Sequence, residues 1–293
     1  MRIVFIGSVH FSLSALELMC KIKSNIVGVI TKKTSSINSD FVDLSFFSEK
    51  NKIPWRYFDN INSLESISWI RTLEPDIIFC FGWSQILRTE VLGIARQGVV
   101  GFHPSALPRN RGRHPIIWAL VLGLEYTGST FFFMDSGTDS GDIISQSHIL
   151  INDNDCAKTL YRRITNEALG QIEQFLPKLE LGIIVSHKQD HTLANVWRKR
   201  SNLDGIIDWR MSAKSIHNLV RGLSHPYVGA HFIFEGMEIK VWKTELIRDF
   251  PSNVEPGKVL SNSEIGSIVK CGDGAIQLLE ITPKFNLIPG SYL

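Results

Sequence analysis

The sequence predicts an α/β protein with a Rossmann-like, mostly parallel sheet, followed by a smaller β-rich C-terminal domain. Three observations predict it. From Arg2 to His103, short unbroken apolar runs alternate with segments of helical spacing, the pattern of buried parallel strands and their crossovers. From Asp204 onward the texture changes to short strands separated by Gly and Asn turns. A chain of 293 residues, 44% hydrophobic and 20% charged, can bury a core in each of two domains, expected at 1–190 and 203–293.

Residues 2–6 form the first apolar run and end at Gly7, a buried-strand signal. A helix is expected over 11–22 and a strand over 26–30. Residues 31–40 are polar and Ser-rich, a loop. Helical patterns follow at 41–50 and 63–73, then a strand at 76–80. The run 81–87 leaves that strand directly and opens onto the carboxyl edge of the sheet. A helix at 88–95 precedes the strand 98–102, which ends at His103. Pro115 suits the first turn of a helix over 115–122. Strands at 126–134 and 143–150 lead to a long helix over 155–181, with Asp153 or Asn154 as its cap. Residues 191–202 read as a connector carrying the basic triplet Arg198-Lys199-Arg200, a solvated face. A helix over 212–222 puts His217 and Arg221 on one face. Five strands, at 230–234, 238–246, 257–260, 266–270 and 275–281, complete a β-rich, barrel-like domain.

Composition excludes several classes. The formal net charge of +2 is far from the basic excess of a dedicated nucleic-acid binder. Cys20, Cys80, Cys156 and Cys271 are scattered with no C-x-x-C pair, so neither a zinc site nor a disulfide framework is indicated, and no metal is expected. No basic-then-apolar leader precedes the first strand and no apolar run is long enough to cross a bilayer, so the expected compartment is the cytoplasm, with no membrane partner. The first strand is followed by a single glycine instead of G-x-G-x-x-G, which argues against a dinucleotide site.

Two stretches carry chemistry. Gly101-Phe102-His103-Pro104-Ser105-Ala106-Leu107-Pro108 runs from a buried strand into a Pro-rich turn, leaving His103 where open α/β sheets place ligands. Met134-Asp135-Ser136-Gly137-Thr138-Asp139-Ser140-Gly141-Asp142 is an acidic, Gly-containing loop after the apolar strand that ends in Phe131-Phe132-Phe133. If the two strands are neighbours, histidine and acid form a proton-transfer pair whose basicity the carboxylate tunes. The phenylalanine run reads as core strand, and Asp135 and Asp142 taken alone as turn residues.

These residues resemble the folate-dependent formyltransferase family, which includes methionyl-tRNA formyltransferase and the sugar N-formyltransferases. His103, Pro104, Ser105, Leu107, Pro108, Arg111, Gly112 and Pro115 match one family motif, and Met134, Asp135, Gly137, Asp139, Gly141 and Asp142 match a second. Asp204-Gly205, Ile207-Asp208-Trp209, Arg221 and Pro226-Tyr227 resemble its second domain, with Asp208 and Trp209 expected in interdomain packing. The resemblance implies the formyltransferase fold, His103 and Asp139 as catalytic residues, and 10-formyltetrahydrofolate as co-substrate. It also implies a pterin site at Trp83, Ser84, Ile86, Leu87 and the loop from Asp135, formed by backbone hydrogen bonds and sandwiching apolar side chains. A homodimer is plausible by the same resemblance. The family's asparagine two residues before the histidine falls on Gly101, so an oxyanion donor is missing. Asn110 and His114 are replacement candidates by proximity in sequence.

His10, Arg111, Arg113 and His114 are candidates for the acceptor substrate, with loop anchoring an equal reading for Arg111 and a solvated loop position an equal reading for His10. The expected reaction is formyl transfer to the primary amine of a nucleotide-linked amino sugar, for surface-polysaccharide synthesis. Methionyl-tRNA formyltransferase is the alternative, disfavoured because 31–40 carries only Lys32 and Lys33 as positive charges. A catalytically impaired folate or sugar-nucleotide binder is the third reading, suggested by Gly101.

Overall fold

The computed structural model describes residues 1–35, 39–284 and 286–293; Ser36, Ile37 and Asn38 of the polar loop, and Phe285, lie outside the described residues. The chain divides into two compact units. One comprises Met1–Gly112, Gly128–Ile149 and Arg163–Trp197, the other Arg113–Thr127, Leu150–Arg162 and Arg198–Leu293.

The first unit is built on β1 (Ile3–Gly7), β2 (Ile26–Thr31), β3 (Trp55–Tyr57), β4 (Ile77–Phe81), β5 (Val99–His103), β7 (Tyr126–Phe133) and β8 (Ile143–Leu150), in the spatial order β3-β2-β1-β4-β5-β7-β8. β3, β2, β1, β4 and β5 are mutually parallel where they pair. β7 joins β5 antiparallel, with Val100 opposite Phe133 and His103 opposite Thr130. Strand order reverses between β1 and β4, so their carboxyl ends flank the switch-point crevice where such sheets take ligands. β3 is a strand the sequence does not announce: three residues with two exposed side chains carry no apolar run.

Period-two alternation gives this sheet two different faces. Val4, Ile6, Ile30, Ile78, Cys80 and Val99 form an aliphatic face against Ile67 and Ile70 of α3 (Leu64–Thr72) and Val91 of α4 (Thr89–Leu92). Phe5, Phe79, Phe81, Phe102 and Phe131 interleave into an aromatic face with Phe11 of α1 (His10–Lys21) and Phe175 of α6 (Ala157–Glu180); Phe11 and Phe102 centroids lie 4.2 Å apart. Burying each such ring contributes roughly 1.5–3 kcal/mol. Cys80 is one of the small core residues, and burial pushes its thiol up to about 12.

Two helices differ from the sequence expectation for local reasons. α2 spans Ser45–Lys50 and not 41–50, because Phe41 bridges Val9 and Val42 N–H donates to Ser8 O, which commits that stretch to extended pairing. α6 starts at Ala157, later than an Asp153 or Asn154 cap would place it. Asp155 closes the turn before it, accepting from Asn152 N–H (2.7 Å) and Thr159 Oγ1 (2.8 Å).

The second unit packs α7 (Ala213–Leu223) against a five-stranded antiparallel sheet: β10 (Ala230–Phe234), β11 (Met237–Ile247), β14 (Ala275–Thr282), β13 (Gly266–Lys270) and β12 (Val259–Ser263), in that spatial order. β10 and β12 are its edges, so among the described residues the ladder does not close into a barrel. Ser212 caps α7 by accepting from Ser215 N–H at 3.1 Å. α5 (Pro115–Val121) packs on α7 where Gly222 leaves room for Val121 and Leu120. Trp209 belongs to this unit's own core, edge-on to Phe232 at 5.3 Å, and Asp208 pairs with Arg210, which holds its carboxyl down at about 2; both residues are accounted for within the unit.

Candidate active site

The residues that converge in the first unit are His103, Asp139 and the turn Asn110-Arg111-Gly112. His103 is 5% exposed. Its Nε2 lies 2.8 Å from the main-chain oxygen of Asn110. A carbonyl only accepts, so Nε2 carries a hydrogen and the tautomer is set. Nδ1 faces Asp139 Oδ2 at 3.5 Å, and the same oxygen accepts from Gly112 N–H at 2.9 Å. Two residues of one turn, Asn110 and Gly112, therefore hold both members of the pair. Asn110 (φ 63°) and Asp139 (φ 51°) occupy the left-handed region, where non-glycine residues are uncommon and Asn and Asp are the usual exceptions. At Gly112, φ is 101° and a Cβ would stand 2.3 Å from Trp197 O, so only glycine fits.

The acidic loop reaches His103 by a route that strand adjacency alone does not foretell. β5 and β7 are neighbours, as the pairing requires, but they run antiparallel, so the loop leaves β7 at the opposite end from His103. Met134 N–H donates to Val99 O at 2.7 Å. Asp139 is brought back along about four residues of β5, roughly 13 Å at strand rise. The two groups do not both start on the carboxyl edge; one arrives there by folding over the aliphatic face. Met134 packs into that face, and Gly101 is the floor beneath it: a Cβ at 101 would lie 2.9 Å from Met134 Cγ and 3.0 Å from Phe132 Cζ. The missing side chain leaves no room beside His103, because Met134 and Phe132 already fill the space.

A strap that the sequence reads only as a connector locks this arrangement. β9 (Val196–Trp197) pairs with β6 (Arg111–Gly112). Gln189 is buried; its Nε2 donates to Asp139 O (2.8 Å) and Gly141 O (2.7 Å), while its Oε1 accepts from Arg111 Nη2 at 2.6 Å. Arg111 Nη2 also lies 2.9 Å from His191 Nδ1. Asn195 Oδ1 accepts from Asn110 N–H at 2.8 Å. Arg111 is thus 8% exposed and engaged with the strap, the anchoring alternative of its two readings. Gln189 and Asn195 are missed by sequence reasoning, since an uncharged amide in a polar segment carries no motif.

The remaining expected residues separate. His10 is exposed at the start of α1, with its main-chain N–H bonded to Asp40 O at 3.0 Å. Trp83 is half-buried after β4, with Lys32 Nζ 4.8 Å over its ring and its indole Nε1 buried without a hydrogen bond. Ser84 is half-buried beside it, and Ile86 is 72% exposed. Leu87 is 2% exposed within the aliphatic core, so its side chain cannot sandwich a ligand as expected. Asp135 Oδ1 accepts from Gly137 N–H (3.0 Å) and Ser140 Oγ (2.6 Å), so that carboxylate oxygen serves the loop's own turn.

Arg113 and His114 belong to the second unit. His114 precedes α5, and its Nδ1 accepts from Arg200 N–H at 3.4 Å. Burial, then the nearby Arg113, Arg200 and Lys199 cations, hold its imidazole below the ordinary histidine range. The basic triplet is a solvated face only in part: Arg198 and Lys199 are exposed, and Arg200 is not. Arg200 is buried, Arg198 and Arg200 both lie over the Trp118 ring, and Arg198 pairs with Asp204.

Among the described residues no cluster of three or more His, Cys, Asp or Glu is arranged to hold a metal, and no helix is long and apolar enough to cross a membrane.

Residues 1–174 match the family described as formyl transferase, and residues 200–287 match the formyl transferase C-terminal domain. A methionyl-tRNA formyltransferase of Acetivibrio thermocellus is 31% identical over 285 residues, covering 96% of this chain and 91% of that protein. The solved N-formyltransferase of Helicobacter canadensis, in complex with folinic acid and dTDP-3-aminofucose, superposes with TM-score 0.75 at 21% identity, covering 94% and 98% of the two chains. WlaRD, a sugar 3N-formyl transferase solved with dTDP and 5-N-formyl-THF, superposes with TM-score 0.74 at 21% identity over 97% and 99%.

Proposed function

Because the chain belongs to the formyl transferase family, we propose that it moves a formyl group from 10-formyltetrahydrofolate to the primary amine of a nucleotide-linked amino sugar. The observation that carries the reading is the His103–Asp139 pair, held at one end of β5 by the Asn110 carbonyl and the Gly112 amide. The reaction joins the amine nitrogen to the formyl carbon and breaks the bond from that carbon to the folate nitrogen. The amine must lose a proton and the departing nitrogen must gain one. His103 donates its Nε2–H to the Asn110 carbonyl, and when Nδ1 takes up a proton beside Asp139 during the transfer the ring sets positive charge beside the developing oxyanion. Asp139 balances that charge and takes the amine proton, directly or through one water, and that proton passes on to the departing folate nitrogen. The oxyanion donor lost at Gly101 is supplied by Asn110, whose carboxamide makes no hydrogen bond among the described residues while its main chain already touches His103. The unpartnered Trp83 Nε1 beside the loop after β4 suits a ring system rich in acceptors, as a pterin is.

Charge supports a small acceptor. The net charge is +2, and two members of the basic triplet, Arg198 and Arg200, lie over Trp118, with Arg198 paired to Asp204. The structural relatives named above were solved with dTDP or a dTDP-amino sugar. The second reading, methionyl-tRNA as acceptor, is favoured by the name of the 31%-identical relative. One competition decides it: the protein is incubated with 10-formyltetrahydrofolate, a panel of amino-sugar nucleotides and charged initiator tRNA. A mass gain of one formyl group on a sugar nucleotide is expected. Formylation of the tRNA alone establishes the second reading, and formylation of nothing in the panel, with folate binding retained, favours the non-catalytic binder.

A further inference from the structure

We propose that Asn195, on the strap, is a positioning residue that sets the tautomer and aim of His103 through the Asn110 peptide. The inference rests on the reading of His103 as the reacting histidine, but its geometry stands by itself. Asn110 is the hinge of the site. Its carbonyl is the acceptor for His103 Nε2–H at 2.8 Å, and its backbone sits at φ 63°, in the left-handed region. Such a residue keeps its shape only when its neighbours over-determine it.

Asn195 supplies that determination twice. Its side-chain Oδ1 accepts from Asn110 N–H at 2.8 Å, and its main-chain oxygen accepts from Arg111 N–H at 3.1 Å. The second bond involves the peptide unit whose oxygen faces His103. The result is a chain from His103 Nε2–H to the Asn110 carbonyl, and from the Arg111 amide of that same peptide to the Asn195 carbonyl. Polarised chains of this kind strengthen each member. If the Asn110 peptide turned away, Nε2 would lose its acceptor, and the imidazole hydrogen could sit on either nitrogen. Nδ1–H would then point at Asp139 and Nε2 would present a lone pair. Gln189 does the corresponding work on the other partner by holding the carbonyls of Asp139 and Gly141, so one strap controls both sides of the pair.

Asn195 is exposed, so its replacement should be tolerated by the fold. The test uses the full chain labelled with nitrogen-15 histidine. The His103 ring signals are identified by their loss in His103→Gln, and the two ring-nitrogen shifts are read in the parent, in Asn195→Ala and in Asn195→Asp. The parent should show one state with hydrogen on Nε2. Asn195→Ala should average the two nitrogens, and Asn195→Asp, which keeps an acceptor oxygen of the same reach, should restore the parent pattern. Once an acceptor amine is known, Asn195→Ala should also lower kcat about tenfold with KM for the folate within threefold. Unchanged ring shifts in Asn195→Ala overturn the proposal, as do equal shifts in both variants. Because the shifts need no substrate, a failure of the formyl-transfer reading leaves this test intact.

Discussion

At the scale of single residues, the site depends on where a hydrogen sits and on what fills a small volume. Nε2 of His103 must donate to Asn110 O, so the ring is oriented before any substrate arrives. His103→Ala or Asp139→Asn is expected to lower turnover about a hundredfold or more, the range for a positioned acid–base group. Near-parent turnover in either purified variant would remove the pair from the mechanism. Gly101 is enclosed by Met134 and Phe132, so Gly101→Asn should raise no rate. It should instead cost about 1–3 kcal/mol through overpacking, read as a drop in thermal midpoint. A faster enzyme would show that the site merely lacks a donor. Asn110→Ala, which removes the carboxamide assigned to the oxyanion, should lower kcat by about 10²–10³ with little change in folate KM.

At the scale of elements, the antiparallel setting of β7 against β5 gives the strap its importance. A loop that leaves the far end of β5 must be held where it lands, and Gln189 holds it through two carbonyls while Arg111 holds Gln189. Gln189→Leu leaves a buried guanidinium and two carbonyls short of partners, each worth about 1–3 kcal/mol. The expected result is a clear loss in the urea midpoint together with loss of turnover. Unaltered stability in this variant would mean that the loop keeps its place without the strap. None of this is audible in residues 187–197 as a string, because amides that bond main-chain groups leave no periodicity and no charge pattern. The turn at 110–112 is more legible, since Gly112 and the left-handed Asn110 are residue types that such geometry selects.

At the scale of the whole molecule, charge and titration give two further measurements. With +2 net charge and Arg200 of its basic triplet buried, the protein should bind its acceptor with a shallow salt dependence. The slope of log KM against log salt should be of magnitude about 2 or less; a slope several times larger would point to a polyanion. His114 and His217, both in the second unit, are held below the ordinary histidine range, chiefly by burial and then by neighbouring cations. The unfolded chain therefore binds more protons than the folded one as pH falls through about 6.5, and stability present above that value is lost toward the folded pKa values. The urea midpoint should fall between pH 7.5 and pH 5.5. A flat or rising midpoint over that interval would contradict the assignment.

The sequence by itself determined the α/β class, the succession of strands and helices, the β-rich second part and the two motif-bearing stretches. Each of these is written in local periodicity or in a run of specific residues. Burial of both sheet faces requires the apolar runs, and turn chemistry requires the glycines and prolines. It did not determine that β7 runs against β5, that Met134 fills the space over Gly101, that Arg198 and Arg200 lie over Trp118, or that residues 187–197 clamp the site. Those facts join positions as much as 86 residues apart, as in the bond between Arg200 and His114. They depend on which surfaces meet once the chain is folded, and hydrogen bonds made by amides and main-chain groups have no local pattern from which to read them.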